Sequence, residues 1–183
     1  MNEVAGRLFS STPGQVDDVS ANAADVPLPP SLASRREQIF PKLAPAEINR
    51  LRRFGTTHTW QPGELLFEAS KTGPGMPVLL NGHVLVTRKN CLGIEVPIVE
   101  NGPGDFMAEI GELSGRPSLV YGHALDVVEA LLIDSPSLRA VVVAEAELGE
   151  RIMRALILRR MGLIETGAGG PILIGPPGGA DMV

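Results

Sequence analysis

The chain has 183 residues, of which 44% are hydrophobic, and its formal net charge is −5. This length suits one domain with tails, and the acidic balance gives no general attraction to nucleic acid or anionic lipid. Cys91 is the single cysteine, which excludes an internal disulfide and a Cys-x-x-Cys redox pair. A cytoplasmic location is expected, because the sequence has no secretory signal pattern and no apolar run of membrane-spanning length.

The N-terminal part is predicted to begin with a flexible arm and to continue with two short helices. Residues 1–30 are rich in Ser, Ala, Asp, Pro and Gly, a composition that predicts a flexible arm. Two short helices are predicted over 31–54, the second beginning at Pro45 and ending before Gly55. Three arginines of this helix, Arg50, Arg52 and Arg53, are interpreted as a solvated face rather than a nucleic-acid patch, because the cluster is short.

Between residues 56 and 134 the sequence changes to short apolar and β-branched runs with Gly-containing turns. The predicted strands cover 57–60, 64–68, 76–80, 83–88, 94–99, 119–126 and 127–133. Asn81-Gly82 predicts a β-hairpin between the third and fourth of these strands. This number of short strands indicates an antiparallel sandwich or barrel.

The C-terminal part is predicted to be helical over 135–165 and irregular beyond. Asp134-Ser135-Pro136 provides a helix start, and a broad apolar stripe follows. Gly149 is expected to mark a junction between two helices. Residues 166–183 contain one strand-like stretch among Gly and Pro, and we interpret them as a tail that could begin a further domain.

The most informative stretch is 104–119, where a Gly-rich turn precedes a short helical segment and then Arg116. The N–H groups of a first helical turn attract anions. A carboxylate in that turn can accept hydrogen bonds from ligand hydroxyls, and an Arg or Ser beyond it can hold a phosphate. The stretch therefore suits a ligand with hydroxyls at one end and a phosphate at the other. The alternative is an ordinary surface helix with a solvated arginine.

Residues 104–113, Gly-Asp-Phe-Met-Ala-Glu-Ile-Gly-Glu-Leu, resemble the phosphate-binding cassette of cyclic nucleotide-binding domains, as in catabolite activator proteins and the regulatory subunits of cyclic-nucleotide-dependent kinases. Gly63, Gly82 and Gly93 also stand where the β-roll of that family has turn glycines. The resemblance implies a mainly β fold, an antiparallel, jelly-roll-like β-roll with flanking helices, over residues 31–165. The C-terminal end is also similar, more weakly, to the variant found ahead of thioredoxin-reductase-like flavoprotein modules.

The resemblance also implies site residues. Glu109 would take the ribose 2′-hydroxyl, and backbone N–H groups near Ile110 and Gly111 would face the cyclic phosphate. Ala108 stands where the family usually has Gly.

The second half of the cassette departs from the family pattern. The phosphate-binding arginine of the family aligns with Ser118, and the following Ser/Thr aligns with Leu119. Arg116 lies two residues earlier, so Arg116 or Ser118 is expected near the phosphate. A missing charge-assisted contact is worth about 1.5–3 kcal/mol, or roughly one to two decades of affinity.

The leading hypothesis is a bacterial regulatory module that binds cAMP or cGMP and passes the signal to the C-terminal helix. It would have no catalytic activity, metal or other cofactor. Too few residues follow Ile164 for a helix-turn-helix, so nucleic-acid binding is not expected. The family implies that the helix over 150–164 could form a homodimer or contact an effector protein; otherwise it folds back on its own barrel.

Two other hypotheses remain open. A degenerate cassette would bind no cyclic nucleotide, and the domain would then serve for protein interaction or dimerisation. A cupin-like barrel enzyme would need a metal cluster, and the three histidines, His58, His83 and His123, are far apart in the sequence.

Overall fold

Two antiparallel sheets form the body of the domain. The computed structural model describes residues 26–108 and 110–166, with Glu112 described by its backbone alone. The strands in this part are β1 (Thr56–Trp60), β2 (Leu65–Phe67), β3 (Met76–Asn81), β4 (Val84–Lys89), β5 (Glu95–Asn101), β6 (Tyr121–Ala124) and β7 (Val128–Ile133). One sheet has the order β1-β7-β3 and the other β2-β6-β4-β5. The predicted mainly β fold with flanking helices is confirmed.

The turn at Asn81-Gly82 connects the two sheets. β3 pairs with β7, whereas β4 pairs with β5 and β6. Gly82 has a φ of 81°, and a Cβ atom there would lie 2.5 Å from the Val127 carbonyl oxygen. Only glycine fits such a close approach of two backbones. The predicted hairpin is therefore wrong, because β3 pairs with the distant strand β7 and β4 pairs with β5 and β6 in the other sheet.

Two helices follow the last strand, α3 (Ser135–Ala144) and α4 (Ala146–Glu165). The Asp134 carboxylate caps α3 by accepting a hydrogen bond from the Ser137 N–H at 2.8 Å. The helices meet at Glu145, so the predicted junction at Gly149 is wrong by four residues. Gly149 lies within α4, where a Cβ atom would be 2.7 Å from the Cα atom of Val142. Its role is to let α4 pack closely on α3.

Helix α4 packs one face on its own domain. Ile152, Ala155 and Leu156 on this face are fully buried, and they belong to an apolar core that also contains Phe106 and residues of β3 and β7. A second apolar core lies around residues of both sheets. Burial of an aliphatic side chain stabilises a fold by about 1.5–3 kcal/mol, so this face anchors α4 to the β-roll.

The N-terminal segment packs against α4. It contains a 3₁₀ turn (Ala33–Arg35), α1 (Arg36–Ile39), α2 (Pro45–Leu51) and a second 3₁₀ turn (Arg52–Phe54). Val26 is buried, and the Arg36 guanidinium donates to its carbonyl oxygen. Leu32 is buried with Ile39 and with Leu158 of α4. The packed part of the chain thus reaches residue 26, inside the arm predicted over 1–30. Residues 1–25 and the tail from 167 lie outside the described residues.

Candidate ligand-binding site

The first half of the cassette is held against the edge of β3. The Leu79 N–H donates to the Asp105 carbonyl at 2.8 Å, and the Gly104 N–H donates to the Leu79 carbonyl at 2.9 Å. The Met107 N–H donates to the Pro77 carbonyl at 3.0 Å, and Phe106 is fully buried. These contacts attach the cassette to the sheet as an added, irregular strand.

The second half contains the short 3₁₀ helix Ile110–Ser114. Ile110 is partly buried and packs on the core, and Gly111 is buried. The Gly111 carbonyl accepts hydrogen bonds from the Arg116 N–H at 3.0 Å and from the Ser114 hydroxyl at 3.1 Å. Glu109, the residue expected to bind the ribose 2′-hydroxyl, lies outside the described residues.

The positions that follow this 3₁₀ helix have different environments. Arg116 is exposed, and among the described residues its guanidinium has no hydrogen-bond or ion-pair partner. Ser118 is buried, and its hydroxyl donates to the Val120 carbonyl at 2.9 Å while accepting from the Val120 N–H at 3.2 Å. Leu119 is partly exposed. The Ser118 hydroxyl is thus engaged in a local turn.

Two adjoining cavities lie beside the contact between the cassette and α4. The smaller one, of about 70 Å³, is lined by Met107, Ala108 and Ser118 of the cassette and by Arg159 and Leu163 of α4. The larger one, of about 350 Å³, extends between β4, β5, the end of α4 and the segment 26–29. The cavities share six lining residues: Phe40, Val86, Val99, Val120, Arg159 and Leu163. Their walls are mostly apolar.

Arg159 is the charged residue common to both cavities. Its Nε donates to the Ile39 carbonyl at 2.8 Å, and its Nη1 donates to the Phe106 carbonyl at 2.7 Å. Burial lowers the pKa of Arg159 to about 10, partly offset by the carboxylate of Asp105. The side chain is still charged at neutral pH.

Arg159 was not predicted as a site residue, although the sequence contained a signal for it. Ala155, Leu156 and Leu163 lie four residues before, three before and four after it, and all three belong to the apolar stripe. Residues three or four positions apart lie on the same side of a helix, so Arg159 faces the same side as these apolar residues. An arginine at an inward-facing position of an apolar stripe is a candidate for a buried polar contact.

Two of the three histidines contact a carboxylate, and His58 contacts the Thr56 hydroxyl. His123 lies 2.9 Å from Glu95, and His83 lies 2.9 Å from Asp126. The Thr87 hydroxyl donates to Glu95, and this hydrogen bond is the main cause that lowers the pKa of the carboxyl. Within residues 26–108 and 110–166, no group of three or more His, Cys, Asp or Glu side chains could hold a metal ion.

Two antiparallel sheets, a cassette on the edge of one of them, and two cavities beside α4 define a β-roll domain. The sequence model described as "Cyclic nucleotide-binding domain" matches residues 57–145. The resemblance found in the sequence is therefore confirmed: residues 57–145 match the cyclic nucleotide-binding domain family.

A curated relative is similar to this chain in sequence, and two solved structures are similar to it in fold. The CRP-like cAMP-activated global transcriptional regulator of Mycobacterium tuberculosis is 23% identical over 68% of this chain and 55% of its own length. The catabolite activator protein of Thermus thermophilus is 20% identical, with a TM-score of 0.59 over 72% of this chain and 62% of that one. Oxidised CprK in complex with o-chlorophenolacetic acid is 13% identical, with a TM-score of 0.53 over 68% of this chain and 52% of that one.

These matches cover only part of the length of each relative. The chain spans about half the length of the curated relative. The structural matches show that this chain has the fold of catabolite activator-type proteins. In the part of the chain that the structure describes, no helix is both long and apolar enough to cross a membrane.

Proposed function

We propose that the chain is a regulatory module in which a small anionic ligand, in the first place cAMP or cGMP, binds between the cassette and α4. The observation that carries this proposal is the pair of cavities, whose walls include the cassette on one side and Arg159 and Leu163 of α4 on the other. A ligand in this place would contact both elements. Its binding energy could therefore change the position or stability of α4.

The size of the site and the names of the relatives support this ligand class. A volume of about 350 Å³ falls within the usual range of about 300–1,000 Å³ for small-molecule pockets. The mycobacterial relative is named as cAMP-activated. CprK, which has the same fold, was solved with o-chlorophenolacetic acid. An aryl carboxylate is therefore the second ligand class to test.

Calorimetric titration with cAMP, cGMP and o-chlorophenolacetic acid tests the proposal. The matched variants are Leu163→Trp, which places a large ring in both cavities, and Val143→Trp, at a position of α3 that is 85% exposed. We expect binding to the wild-type chain and to Val143→Trp, and its loss in Leu163→Trp. If all three proteins are folded and none of these ligands binds at millimolar concentration, a protein-interaction module with a degenerate cassette becomes the better description.

The signal would leave through the outward face of α4, and we propose that this face forms a homodimer. Ile157, Met161 and Ile164 are 44%, 44% and 48% exposed. Their spacing of four and three residues is that of the apolar seam of a two-helix coiled coil. A second copy of α4 would cover these three side chains, and a ligand at Arg159, on the other side of the same turns, could change the contact.

Sedimentation analysis tests the dimer. The double variant Ile157→Glu, Met161→Glu should convert a wild-type dimer into a monomer, because two charges would be buried at the seam. Leu92→Glu, at a turn position that is 78% exposed, is the control and should stay dimeric. A wild-type chain that sediments as a monomer at all concentrations would exclude this interface as a stable one.

A further inference from the structure

Arg159 is held in one orientation by its surroundings. Its Nε donates to the Ile39 carbonyl and its Nη1 to the Phe106 carbonyl, and the Ala108 carbonyl also lies 3.5 Å from Nη1. The guanidinium also lies over the ring of Phe106, with its carbon 4.6 Å from the ring centroid, and 5.6 Å from that of Phe40. Among the described residues, Nη2 has no hydrogen-bond partner. The side chain is thus held through Nε and Nη1, and in this part of the chain the Nη2 N–H groups donate to no protein atom.

The charge of Arg159 is not neutralised by the described part of the chain. None of the ion pairs within residues 26–108 and 110–166 includes it. Asp105 influences it from a distance, but this carboxylate accepts from the Gly102 N–H at 2.9 Å and lies 4.0 Å from the Lys42 ammonium. Arg159 is partly buried, and a cation in such a place that lacks an anionic partner among the described residues is unfavourable in a folded protein. This cost is reduced when an anion binds beside it.

The cassette itself offers no cation to the cavity. Ser118 occupies the position that aligns with the phosphate-binding arginine of the family, and its hydroxyl is engaged with Val120. Arg116 is exposed and does not line either cavity. Arg159 and Ser118, in contrast, line the same small cavity. The positively charged residue that lines the small cavity therefore belongs to α4 and not to the cassette.

We propose that Arg159 binds the anionic group of the ligand and so replaces the cassette arginine that this chain lacks. The inference rests on the proposed function. The anionic group, a phosphodiester or a carboxylate, would lie between Arg159 and the cassette. The apolar or planar part of the ligand would occupy the larger cavity, which is walled by Leu28, Ile98 and Leu158 among others. Because Arg159 belongs to α4, the ligand charge would act on the helix directly.

Titration of Arg159→Gln tests this role, with cAMP and o-chlorophenolacetic acid as the anionic probes and adenosine as an uncharged one. A charge-assisted hydrogen bond is worth about 1.5–3 kcal/mol, so the affinity for the anionic probe should fall about 10- to 100-fold. The affinity for adenosine should not change. The probe that binds more tightly to the wild-type chain identifies the phosphodiester or the carboxylate as the preferred group.

Arg154→Gln is the matched control. Arg154 is an exposed arginine of the same helix that lines neither cavity, and its guanidinium pairs with the Glu150 carboxylate one turn earlier. It should retain the wild-type affinity to within about threefold. An equal loss in both variants would overturn the assignment, since a general effect of positive charge would then suffice.

The other outcomes separate this inference from the proposed function. Binding of an anionic probe that Arg159→Gln leaves unchanged would overturn the role of Arg159 while the proposed function stands. Absence of binding by any probe to the folded wild-type chain would overturn both. If Arg159→Gln does not fold, Arg159→Lys decides: a loss confined to the anionic probe supports the inference, and no loss or an equal loss for adenosine contradicts it.

Discussion

The close contact between α3 and α4 leads to a prediction for Gly149→Ala. The added Cβ atom would lie 2.7 Å from the Cα atom of Val142 and 3.1 Å from its carbonyl oxygen. Both are backbone atoms, so the two helices must move apart rather than a side chain adjust. Overpacking of this kind is unfavourable by about 1–3 kcal/mol. The replacement of Gly by Ala in a helix is favourable by about 1 kcal/mol, so a net loss of stability is expected.

Gly162→Ala on the same helix provides the control. A Cβ atom at this position would meet only the terminal methyl Cδ1 of Leu32, at 3.3 Å. A methyl group at the end of a side chain can shift by a few tenths of an ångström, so the variant should be as stable as the wild-type chain or slightly more stable. The gain in helix propensity is common to both variants. Their difference in the free energy of unfolding therefore isolates the helix–helix strain.

Urea denaturation followed by circular dichroism measures this difference. We expect Gly149→Ala to be less stable than Gly162→Ala by about 2 kcal/mol, the middle of the overpacking range. For a chain of this length the corresponding difference in Tm is about 4–8 °C. Equal stability of the two variants, or a more stable Gly149→Ala, would refute the claim that Gly149 sets the distance between α3 and α4.

Two further predictions concern the core and the polar network. Leu156→Ala removes a fully buried side chain and should lower the free energy of unfolding by about 2–5 kcal/mol. Val143→Ala, at an exposed position, should change this free energy by less than about 0.5 kcal/mol. Similar values for the two variants in urea denaturation would contradict the assigned burial. Glu95→Gln should lower the Tm near pH 6. The folded-state pKa of Glu95 lies below its ordinary value of 4.5, mainly because the Thr87 hydroxyl donates to the carboxylate. Its stabilisation is therefore present above about pH 4.5 and is lost as the pH falls through the folded-state pKa. A Tm difference from wild type that persists at pH 3, or that equals the difference for the exposed Glu37→Gln, would argue against this.

The local signals of the sequence predicted most of the elements. Seven strands and the start of α3 were expected near their observed places, because alternating apolar residues, turn glycines and the Asp134 cap act within a few residues of themselves. The cassette over 104–113 also identified the family. The errors lie at junctions: Asn81-Gly82 was interpreted as a hairpin and Gly149 as a helix break. Glycine marks both positions, but a local pattern cannot distinguish a tight turn from the close approach of a distant backbone.

The candidate site was less predictable than the fold. Ser118 and Arg116 were both expected near a phosphate, and the structure places one in a buried turn and the other at the surface. Arg159 lies more than 40 residues later in the chain, and only the packing of α4 across the cassette brings it to the same cavity as Ser118. The wall that residues 26–29 form at the larger cavity likewise depends on the contact of Leu32 with Leu158.

The sequence by itself determined the class of fold, the order of the elements and the cassette. These follow from backbone preferences and side-chain periodicity over short stretches, which need no knowledge of distant partners. Only the tertiary structure decided which strands share a sheet, where α3 ends and α4 begins, and which arginines line the cavities. These properties depend on contacts between residues far apart in the chain, whose energies are set by burial and packing rather than by local conformation.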